Sequence, residues 1–315
     1  MPAYHCGALV EPAVWLGAGV DFYRIGLDLK ADLDDIERKC TGTTRCLVVV
    51  HYFGFPQPLS DFVDLCRRKS LALVEDCAHA FFGRAREGVL GSVGDFSMAS
   101  AKKFFPVEDG GVLIGRDPLP STELRAPELS AELRSLARGV QAASDFGQLG
   151  IAGTIASLPF RARDWLRGAE TRQAVPAGST GYRWFQPNEV ERSGTRVSSW
   201  IMEHTNKTRL VARRRAGFAR LLHGLADVRG GHPLYRELPD GVVPYMFPFV
   251  LKDPDVAFRA LKSEGVPLLR WEEVAHSDCP VSERYLSQLI QIPCHQELKD
   301  DAIEWIVGTV RKTLD

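Results

Sequence analysis

The amino-acid sequence predicts an α/β protein with a mostly parallel sheet in a large domain and a smaller C-terminal α+β domain. Two observations carry this prediction. Apolar runs at residues 46–50 and 71–74 enclose a helical pattern, which is the strand, helix, strand unit of parallel sheets. From residue 196 onward, one long helical pattern precedes alternating short strand and helix patterns. Because 315 residues allow two domains of moderate size, we expect a large domain at 1–195 and a smaller one at 196–315.

The composition is that of a globular protein and excludes several functional classes. Hydrophobic residues make up 45% and charged residues 25% of the chain, which argues against a disordered or membrane-spanning protein. Lys and Arg (39) nearly balance Asp and Glu (40), so neither nucleic acid nor an anionic membrane is an expected partner. Seven cysteines without a CxxC pair, and an N-terminal apolar stretch interrupted by Glu11 and Pro12, predict a cytoplasmic protein with reduced thiols.

The first strand, helix, strand unit is predicted in detail. Cys46-Leu47-Val48-Val49-Val50 is a continuous apolar run rich in β-branched residues, as in strands buried on both faces. Ser60 suits the N-cap of the next helix, and three cations at 67–69 suit its C-terminus. The second strand follows at 71–74. Further strands are expected at residues 20–25, 96–98 and 111–114.

The rest of the chain is predicted more coarsely. Residues 126–192 contain scattered Gly and Pro, so we expect short helices and a long excursion. Residues 199–223 predict one amphipathic helix, and we interpret its run Arg213-Arg214-Arg215 as a solvated face rather than a phosphate-binding patch. The remaining expected elements are a strand at 242–251, a helix at 256–263, a strand at 266–269 and a terminal helix carrying Ile303, Ile306, Val307 and Val310.

Two motifs are considered and set aside. Gly17-Ala18-Gly19 lacks the third glycine of a dinucleotide-binding loop and precedes a predicted strand instead of a helix. His276, Cys279, Cys294 and His295 could be proposed as zinc ligands, but adjacent Cys-His ligands are not a usual structural-zinc spacing. We therefore expect no metal site.

Two acids and a histidine follow the second strand of the unit. The segment is Glu75-Asp76-Cys77-Ala78-His79-Ala80, at the carboxyl end of a predicted parallel strand, where open α/β sheets bind ligands. A carboxylate there is costly unless it meets a cation or hydrogen-bond donors. One of the two acids is thus expected to pair with a positively charged group.

Two lysines, Lys102 and Lys103, lie among apolar residues in the segment from Gly94 to Phe105. A lysine amine in apolar surroundings loses its charge more readily and becomes nucleophilic enough to form a Schiff base. The alternative is a surface loop with two exposed lysines. The residues alone leave both interpretations open.

Together these segments resemble the core of the DegT/StrS-type (DegT/DnrJ/EryC1/StrS) sugar aminotransferase family, pyridoxal-phosphate enzymes of fold type I, the aspartate aminotransferase fold. Arg196-Val197-Ser198 and Ile292-Pro293-Cys294-His295 resemble later landmarks of that family. The family's ordered motifs appear here as His51-Tyr52-Phe53-Gly54, Glu75-Asp76-Cys77-Ala78-His79-Ala80, Gly94-Asp95, Phe96-Ser97, Lys102 and Asp109-Gly110-Gly111.

The resemblance implies an aminotransferase that moves an amino group from glutamate to a keto sugar, in a nucleotide-linked form, and that works as a homodimer. It implies pyridoxal 5'-phosphate as cofactor, with Lys102 as the Schiff-base lysine and general base. Asp76 would pair with the pyridine nitrogen, Ser97 would donate to the phosphate, and His79 would lie against the ring oxygen or the substrate. His5 would stack on the ring, with its neighbour Tyr4 as the alternative.

Two departures from the family pattern leave a second function open. Gly194 occupies the position of a family Asn that reaches the neighbouring subunit's phosphate, and the family's phosphate-cradling Gly-Thr-x-Ala turn has no counterpart in this sequence. The alternative is a catalytically impaired homologue that acts as partner or regulator of a complete paralogue.

Overall fold

The computed structural model describes residues 1–120, 122–145, 183–271 and 274–315. Among these residues no helix is both long enough and apolar enough to cross a membrane. The helices are α1 (Gly7–Trp15), α2 (Leu33–Lys39), α3 (Leu59–Lys69), α4 (Leu129–Asp145), α5 (Arg196–His204), α6 (Lys207–Leu225), α7 (Pro254–Ser263), α8 (Pro280–Gln288) and α9 (Asp300–Leu314). The strands are β1 (Cys46–Val50), β2 (Ala72–Asp76), β3 (Arg84–Ala85), β4 (Gly88–Val89), β5 (Phe96–Ser100), β6 (Gly111–Gly115), β7 (Gly231–Pro233), β8 (Met246–Leu251), β9 (Leu269–Arg270) and β10 (Leu289–Pro293).

The predicted parallel sheet is present, with its strands in the order β1-β2-β5-β6. β1 and β2 pair in parallel, with Val50 opposite Asp76. β2 and β5 also pair in parallel, with Asp76 opposite Met98. This confirms the strand, helix, strand unit and brings the carboxyl ends of these strands, where α/β sheets bind ligands, to one edge of the sheet.

A second sheet is antiparallel, in the order β7-β8-β10-β9, and supplies the smaller α+β part of the fold. β8 is buried along its whole length. The strand predicted at 242–251 begins only at Met246. The prediction of a strand at 266–269 was wrong except for Leu269, which begins β9. Val266 and Leu268 are apolar because they are buried in the core, and they do not belong to the sheet.

Three further predictions were wrong. Residues 20–25 form only isolated bridges, at Tyr23 and Ile25. Ser60 lies inside α3, whose N-cap is Pro58. The single helix predicted at 199–223 is two helices, α5 and α6, because the side chain of Asn206 accepts a hydrogen bond from the Arg209 amide and starts a new helix.

The run of three arginines in α6 was also misread. Arg214 is only 2% exposed, and its guanidinium donates to Gln296 Oε1 at 2.9 Å and to the carbonyls of Pro244 at 3.2 Å and Tyr245 at 2.9 Å. Arg213 is half-buried, donates to the carbonyl of Leu298 at 2.7 Å and pairs with Asp300. The run is therefore not a solvated face, since its middle member is part of the core.

The described residues divide into two compact units. The first contains Met1–Ala99, Val112–Leu119 and Asn206–Asp315, and the second contains Ser100–Gly111 and Pro120–Thr205. The main cluster of buried hydrophobic side chains lies in the first unit, where it includes residues of β1, β2, β8, β10 and α9. The predicted division at residue 195 does not coincide with these units and, as a statement about domains, stays a prediction.

In the second unit, α4 is longer than the short helices expected for residues 126–192. It contains 17 residues. Much of the remaining predicted excursion, residues 146–182, lies outside the described part of the chain.

Candidate functional site

Asp76 ends β2 and is buried, with 7% of its surface exposed. One carboxylate oxygen, Oδ1, accepts the backbone N–H of Ala78 at 2.8 Å. The other, Oδ2, lies 3.2 Å from Nε2 of His5. The structure therefore joins two residues that the sequence suggested separately, and it gives the expected acid a histidine partner.

His5 is oriented by its own neighbour in the chain. Its ring is 2% exposed, and Nδ1 lies 2.9 Å from the carbonyl oxygen of Cys6. Tyr4, the alternative stacking residue, is fully buried, and its ring packs edge-on against Trp271 at 5.0 Å and Tyr285 at 6.2 Å between centroids. Within this unit Tyr4 is a packing residue, whereas the polar edge of His5 is directed at Asp76.

His79 lies in an aromatic cluster beyond the end of β2. Its ring stacks on that of Tyr245, with 4.7 Å between the ring centroids and 23° between the ring planes. It also stacks on Phe53, with a centroid distance of 5.5 Å and an interplanar angle of 26°. Trp271 lies 5.2 Å away at a tilt. The ring of His79 is thus held in place by three aromatic side chains from distant parts of the chain.

Glu75, next to Asp76, has a different role that the sequence did not reveal. It is fully buried, and its two oxygens accept hydrogen bonds from Nε2 of His51 at 3.0 Å and from the amides of Gly91, Val93 and Gly94 at 2.6–2.9 Å. Burial alone would raise its pKa, but the hydrogen bonds from His51, Gly94 and Gly91 outweigh it and lower the pKa of Glu75. Glu75 is an ionised structural anchor for the loop that leads into β5.

Ser97 lies on the Glu75 side of the sheet. It is opposite Glu75 in the parallel register, and side chains alternate along a strand, so Asp76 is directed to the other face. A Cβ added at Gly91 would lie 3.2 Å from the Ser97 hydroxyl oxygen and 3.3 Å from the sulfur of Cys77. The structure thus brings His5 to Asp76 but does not bring Ser97 to it.

Within the described part of the chain, one group of residues has metal-ligand atoms within 4.8 Å of one another, namely His51, Glu75 and Cys77. Burial, together with the nearby Glu75 and Asp76 carboxylates, raises the pKa of the Cys77 thiol, which therefore stays protonated. Since the Glu75 oxygens already accept four hydrogen bonds, this group is a hydrogen-bonded cluster and not a metal site.

Lys102 belongs to the second unit. It lies in a short 3-10 turn, Ala101–Lys103, directly after β5, and its side chain is exposed. The amide of Ala101 donates to the carbonyl of Gly110 at 2.9 Å. Two motifs of the sequence analysis, the lysine and Asp109-Gly110-Gly111, are therefore neighbours within this unit.

Thr195 is a residue that the sequence analysis missed. Its amide and hydroxyl donate to the carboxylate of Asp109 at 3.0 and 3.1 Å, and its hydroxyl oxygen caps α5 by accepting the Ser198 amide. A threonine before a helical pattern is a usual N-cap signal. The contact links the Asp109 motif to the start of α5, where the Arg196 landmark lies.

Comparison with known proteins identifies relatives of this chain. Residues 1–143 match the DegT/DnrJ/EryC1/StrS aminotransferase family. The sequence is 24% identical to a dTDP-4-dehydro-2,3,6-trideoxy-D-glucose 4-aminotransferase of Saccharopolyspora spinosa. The match extends over 302 residues and covers 91% of this chain and 70% of the relative. A second relative is a UDP-N-acetyl-3-dehydro-alpha-D-glucosamine 3-aminotransferase of Acidithiobacillus ferrooxidans, to which the sequence is 23% identical. That match covers 100% of this chain and 77% of the relative.

Solved structures share the fold. The crystal structure of the aminotransferase TlmJ from Streptoalloteichus hindustanus is similar with a TM-score of 0.68 and 25% identity, and the match covers 99% of this chain and 78% of TlmJ. The predicted fold class is thereby confirmed.

Pyridoxal 5'-phosphate, the cofactor expected for this fold, can be tested against the residues present. Its protonated ring nitrogen needs an acceptor, and the buried carboxylate of Asp76 at the ligand-binding edge of the sheet is one. His79 offers a ring nitrogen at the same end of β2. The donor set therefore fits the ring of the cofactor, while the hydroxyl of Ser97 lies on the other face of the sheet from Asp76.

Proposed function

We propose that this chain is a member of the DegT/DnrJ/EryC1/StrS aminotransferase family, whose model matches residues 1–143, and that it transfers an amino group from glutamate to the keto group of a nucleotide-linked sugar. The relatives with the longest matches are named for amino transfer to dTDP-linked and UDP-linked keto sugars. The family supports the reaction class, and these names support the class of acceptor. Glutamate as donor, a homodimeric state and a cytoplasmic location are part of the proposal.

The cofactor of the family, pyridoxal 5'-phosphate, supplies an electron-accepting ring and a carbonyl carbon that an amine can hold. In this proposal the amine of Lys102 would hold the cofactor at that carbon and would serve as the base that moves the proton during amino transfer. Asp76 would offer its carboxylate to the ring nitrogen and so favour the protonated form of that nitrogen. His79 would support the ring oxygen or the substrate, and His5 would lie at the ring. Ser97, whose hydroxyl lies on the other face of the sheet from Asp76, is left without a role at the ring.

The observation that carries the proposal is the position of Asp76. A buried carboxylate is costly, yet this one lies at the carboxyl end of a parallel strand and has an amide and an imidazole as partners. Each carboxylate oxygen can accept a further hydrogen bond, so this group can also bind a cationic donor. A protonated ring nitrogen is the cation that the family's chemistry provides.

Absorption spectra test the cofactor part of the proposal. We expect purified protein dialysed against pyridoxal 5'-phosphate to retain an absorption band in the visible, and Lys102→Ala to lose it. Lys103→Ala is the matched control and should keep the band. A wild-type protein that remains colourless after this treatment would contradict the proposal.

Transfer of label tests the substrate part. With 15N-glutamate and a panel of dTDP-linked and UDP-linked keto sugars, mass spectrometry should find 15N in an aminated sugar nucleotide for the wild type and not for Lys102→Ala. A protein that binds the cofactor and aminates none of the panel, but changes the activity of an added complete paralogue, would instead favour the alternative of a partner or regulator.

A further inference from the structure

We infer that Asp109 and Thr195 are positioning residues for Lys102, because their contact holds the turn that carries this lysine on the start of α5. We call the contact between the Asp109 carboxylate and the amide and hydroxyl of Thr195 the latch. The inference rests on the proposed function, in which the amine of Lys102 must reach one carbon of the cofactor. All the residues of the latch and of the turn belong to the second unit.

The turn that contains Lys102 is fixed through its first residue, Ala101. Ala101 has no exposed surface, and its amide donates to the carbonyl of Gly110 at 2.9 Å. The amides of Phe104 and Phe105 donate to the Ala101 carbonyl, each at 2.9 Å. The backbone on both sides of Lys102 is therefore tied to Ala101, and Ala101 is tied to Gly110.

Gly110 packs against both the turn and α5. Its φ of +106° favours glycine, and a Cβ added there would lie 3.1 Å from Cβ of Ala101. The same Cβ would lie 3.5 Å from the methyl carbon of Met202, which belongs to α5. A shift of Gly110 would therefore be passed to Ala101 and to the lysine that follows it.

The latch fixes the residue before Gly110. Oδ2 of Asp109 accepts the amide of Thr195 at 3.0 Å, and Oδ1 accepts the hydroxyl of Thr195 at 3.1 Å. Because the two bonds use different atoms of each residue, they fix the orientation of the carboxylate as well as its distance. Thr195 is only 1% exposed, so water has little access to the bonds that it makes.

The other side of the latch is anchored to two helices. The hydroxyl oxygen of Thr195 accepts the Ser198 amide at 3.2 Å and so caps α5. The carboxylate of Glu132, in α4, accepts the first two amides of α5, those of Arg196 and Val197, at 2.8 and 3.2 Å. The latch therefore holds the turn with the lysine on a pair of connected helices.

The consequence concerns the amine of Lys102. Its side chain is exposed, so burial does not fix where the amine lies. A reacting group that is displaced by about 1 Å can lose about 100-fold in rate, and sites are more precise when rigid elements support them. In this account the latch fixes the backbone from which the amine reaches the cofactor.

Amide hydrogen exchange of the full-length protein without cofactor tests the latch itself. Asp109→Ala removes both acceptors of the latch and leaves the cap of α5 in place. The Ala101 amide should then exchange about tenfold faster, as expected for the loss of a hydrogen bond to a carboxylate. Glu108→Ala is the matched control, since it removes the neighbouring acid, which pairs with Arg138 at 2.9 Å, and it should leave exchange at Ala101 unchanged.

Two substitutions of Thr195 test the latch from its other side and serve if Asp109→Ala does not fold. Thr195→Val removes the hydroxyl and should also speed exchange at Ala101. Thr195→Ser keeps the hydroxyl and should retain the wild-type exchange rate. The rescue by serine separates the hydrogen bond from the packing of the threonine methyl group.

Trapping with borohydride tests the effect on the lysine, in samples that circular dichroism shows to be folded. With saturating pyridoxal 5'-phosphate, the ratio of modified Lys102 to modified Lys103 should fall about tenfold in Asp109→Ala. Glu108→Ala and Thr195→Ser should keep the wild-type ratio. A change in this ratio reports the position of one lysine relative to its neighbour, which a role in stability alone would not move.

Unchanged exchange at Ala101 in folded Asp109→Ala or Thr195→Val would overturn the inference. So would a wild-type ratio of the modified lysines in a variant whose Ala101 amide exchanges faster. A wild-type protein that traps no cofactor on Lys102 would contradict the proposed function, and exchange at Ala101 would still decide whether the latch holds the turn.

Discussion

Nε2 of His51 lies 3.0 Å from Oε2 of Glu75, and neither side chain has any exposed surface. The Gln57 backbone amide donates to Nδ1 of His51 at 3.2 Å, so Nε2 is the ring nitrogen that donates to the Glu75 carboxylate. In the pair formed by His5 and Asp76, Nδ1 of the histidine lies 2.9 Å from an acceptor, the carbonyl oxygen of Cys6, and not next to a donor. Two adjacent acids of one strand thus meet histidines whose Nδ1 atoms have opposite roles, since Nδ1 of His51 accepts from the Gln57 amide and Nδ1 of His5 faces the Cys6 carbonyl.

Glu75→Gln should destabilise the first unit by about 3 kcal/mol, the range for breaking a buried charge interaction. Whichever way the new amide is turned, its NH2 group faces two N–H donors among His51 and the amides of Gly91, Val93 and Gly94. Urea unfolding measures the loss. Glu264→Gln, at an exposed position, is the control and should change stability by less than about 0.5 kcal/mol.

The same pair has a defined pH dependence. The pKa of Glu75 is lower in the folded protein, so its contribution is fully present above the ordinary carboxyl value of about 4.3 and is lost as the pH falls through the lower folded value. The stability difference between wild type and Glu75→Gln should therefore shrink on acidification below about pH 4.3. A difference that grows in acid would show that Glu75 is not ionised in the folded protein.

Tyr4→Phe should leave stability unchanged or raise it by about 1 kcal/mol. The hydroxyl of Tyr4 is buried and has no hydrogen-bond partner among the described residues, so its removal relieves an unsatisfied polar group. Tyr52→Phe is the matched variant and should cost about 1 kcal/mol, because the Tyr52 hydroxyl donates to the Tyr4 carbonyl. Thermal unfolding of both variants checks this order, and the reverse order would contradict it.

Gly54→Ala should destabilise the protein by at least about 2 kcal/mol. Gly54 has a φ of +94°, and an added Cβ would collide with the carbonyl oxygen of Val243. Gly308→Ala is the control, since its Cβ meets no described atom within 4 Å and alanine favours the interior of α9 by about 0.5–1 kcal/mol. Unfolding midpoints that fall in one variant and rise in the other would support the close approach at Gly54.

Arg214→Met should cost about 3 kcal/mol, because it leaves the acceptors of Gln296, Pro244 and Tyr245 buried without their donor. Since Tyr245 stacks on His79, the NMR signals of the His79 ring should also shift. Arg220→Met removes a half-exposed ion pair with Asp300 and should cost less than about 1 kcal/mol. Equal losses in the two variants would contradict the structural role of Arg214.

The sequence predicted those features that depend on neighbours in the chain. The apolar run at 46–50, the cations that end α3 and the acids that end β2 are all local patterns, and the structure confirms their positions. The break between α5 and α6 is also local, since Asn206 is a common N-cap residue. That signal was present and was outweighed by the apolar periodicity on either side.

The features that could not be predicted depend on contacts between residues that are distant in the chain. His5 and Asp76 are separated by 71 residues, and nothing near either residue indicates the other. Glu75 and Asp76 are adjacent acids, and only the alternation of side chains in the sheet directs one to the loop at 91–94 and the other to His5. The burial of Arg214 likewise depends on carbonyl groups that the fold brings to it.

The identity of the lysine that holds the cofactor is the central claim, and chemical trapping tests it most directly. The full-length protein is mixed with pyridoxal 5'-phosphate, reduced with borohydride so that a Schiff base becomes a stable amine, and digested for peptide mass spectrometry. We predict that the modification is found on Lys102 in wild type and is absent in Lys102→Ala. Modification of Lys103 instead, or of no single lysine in preference to others, would contradict the account.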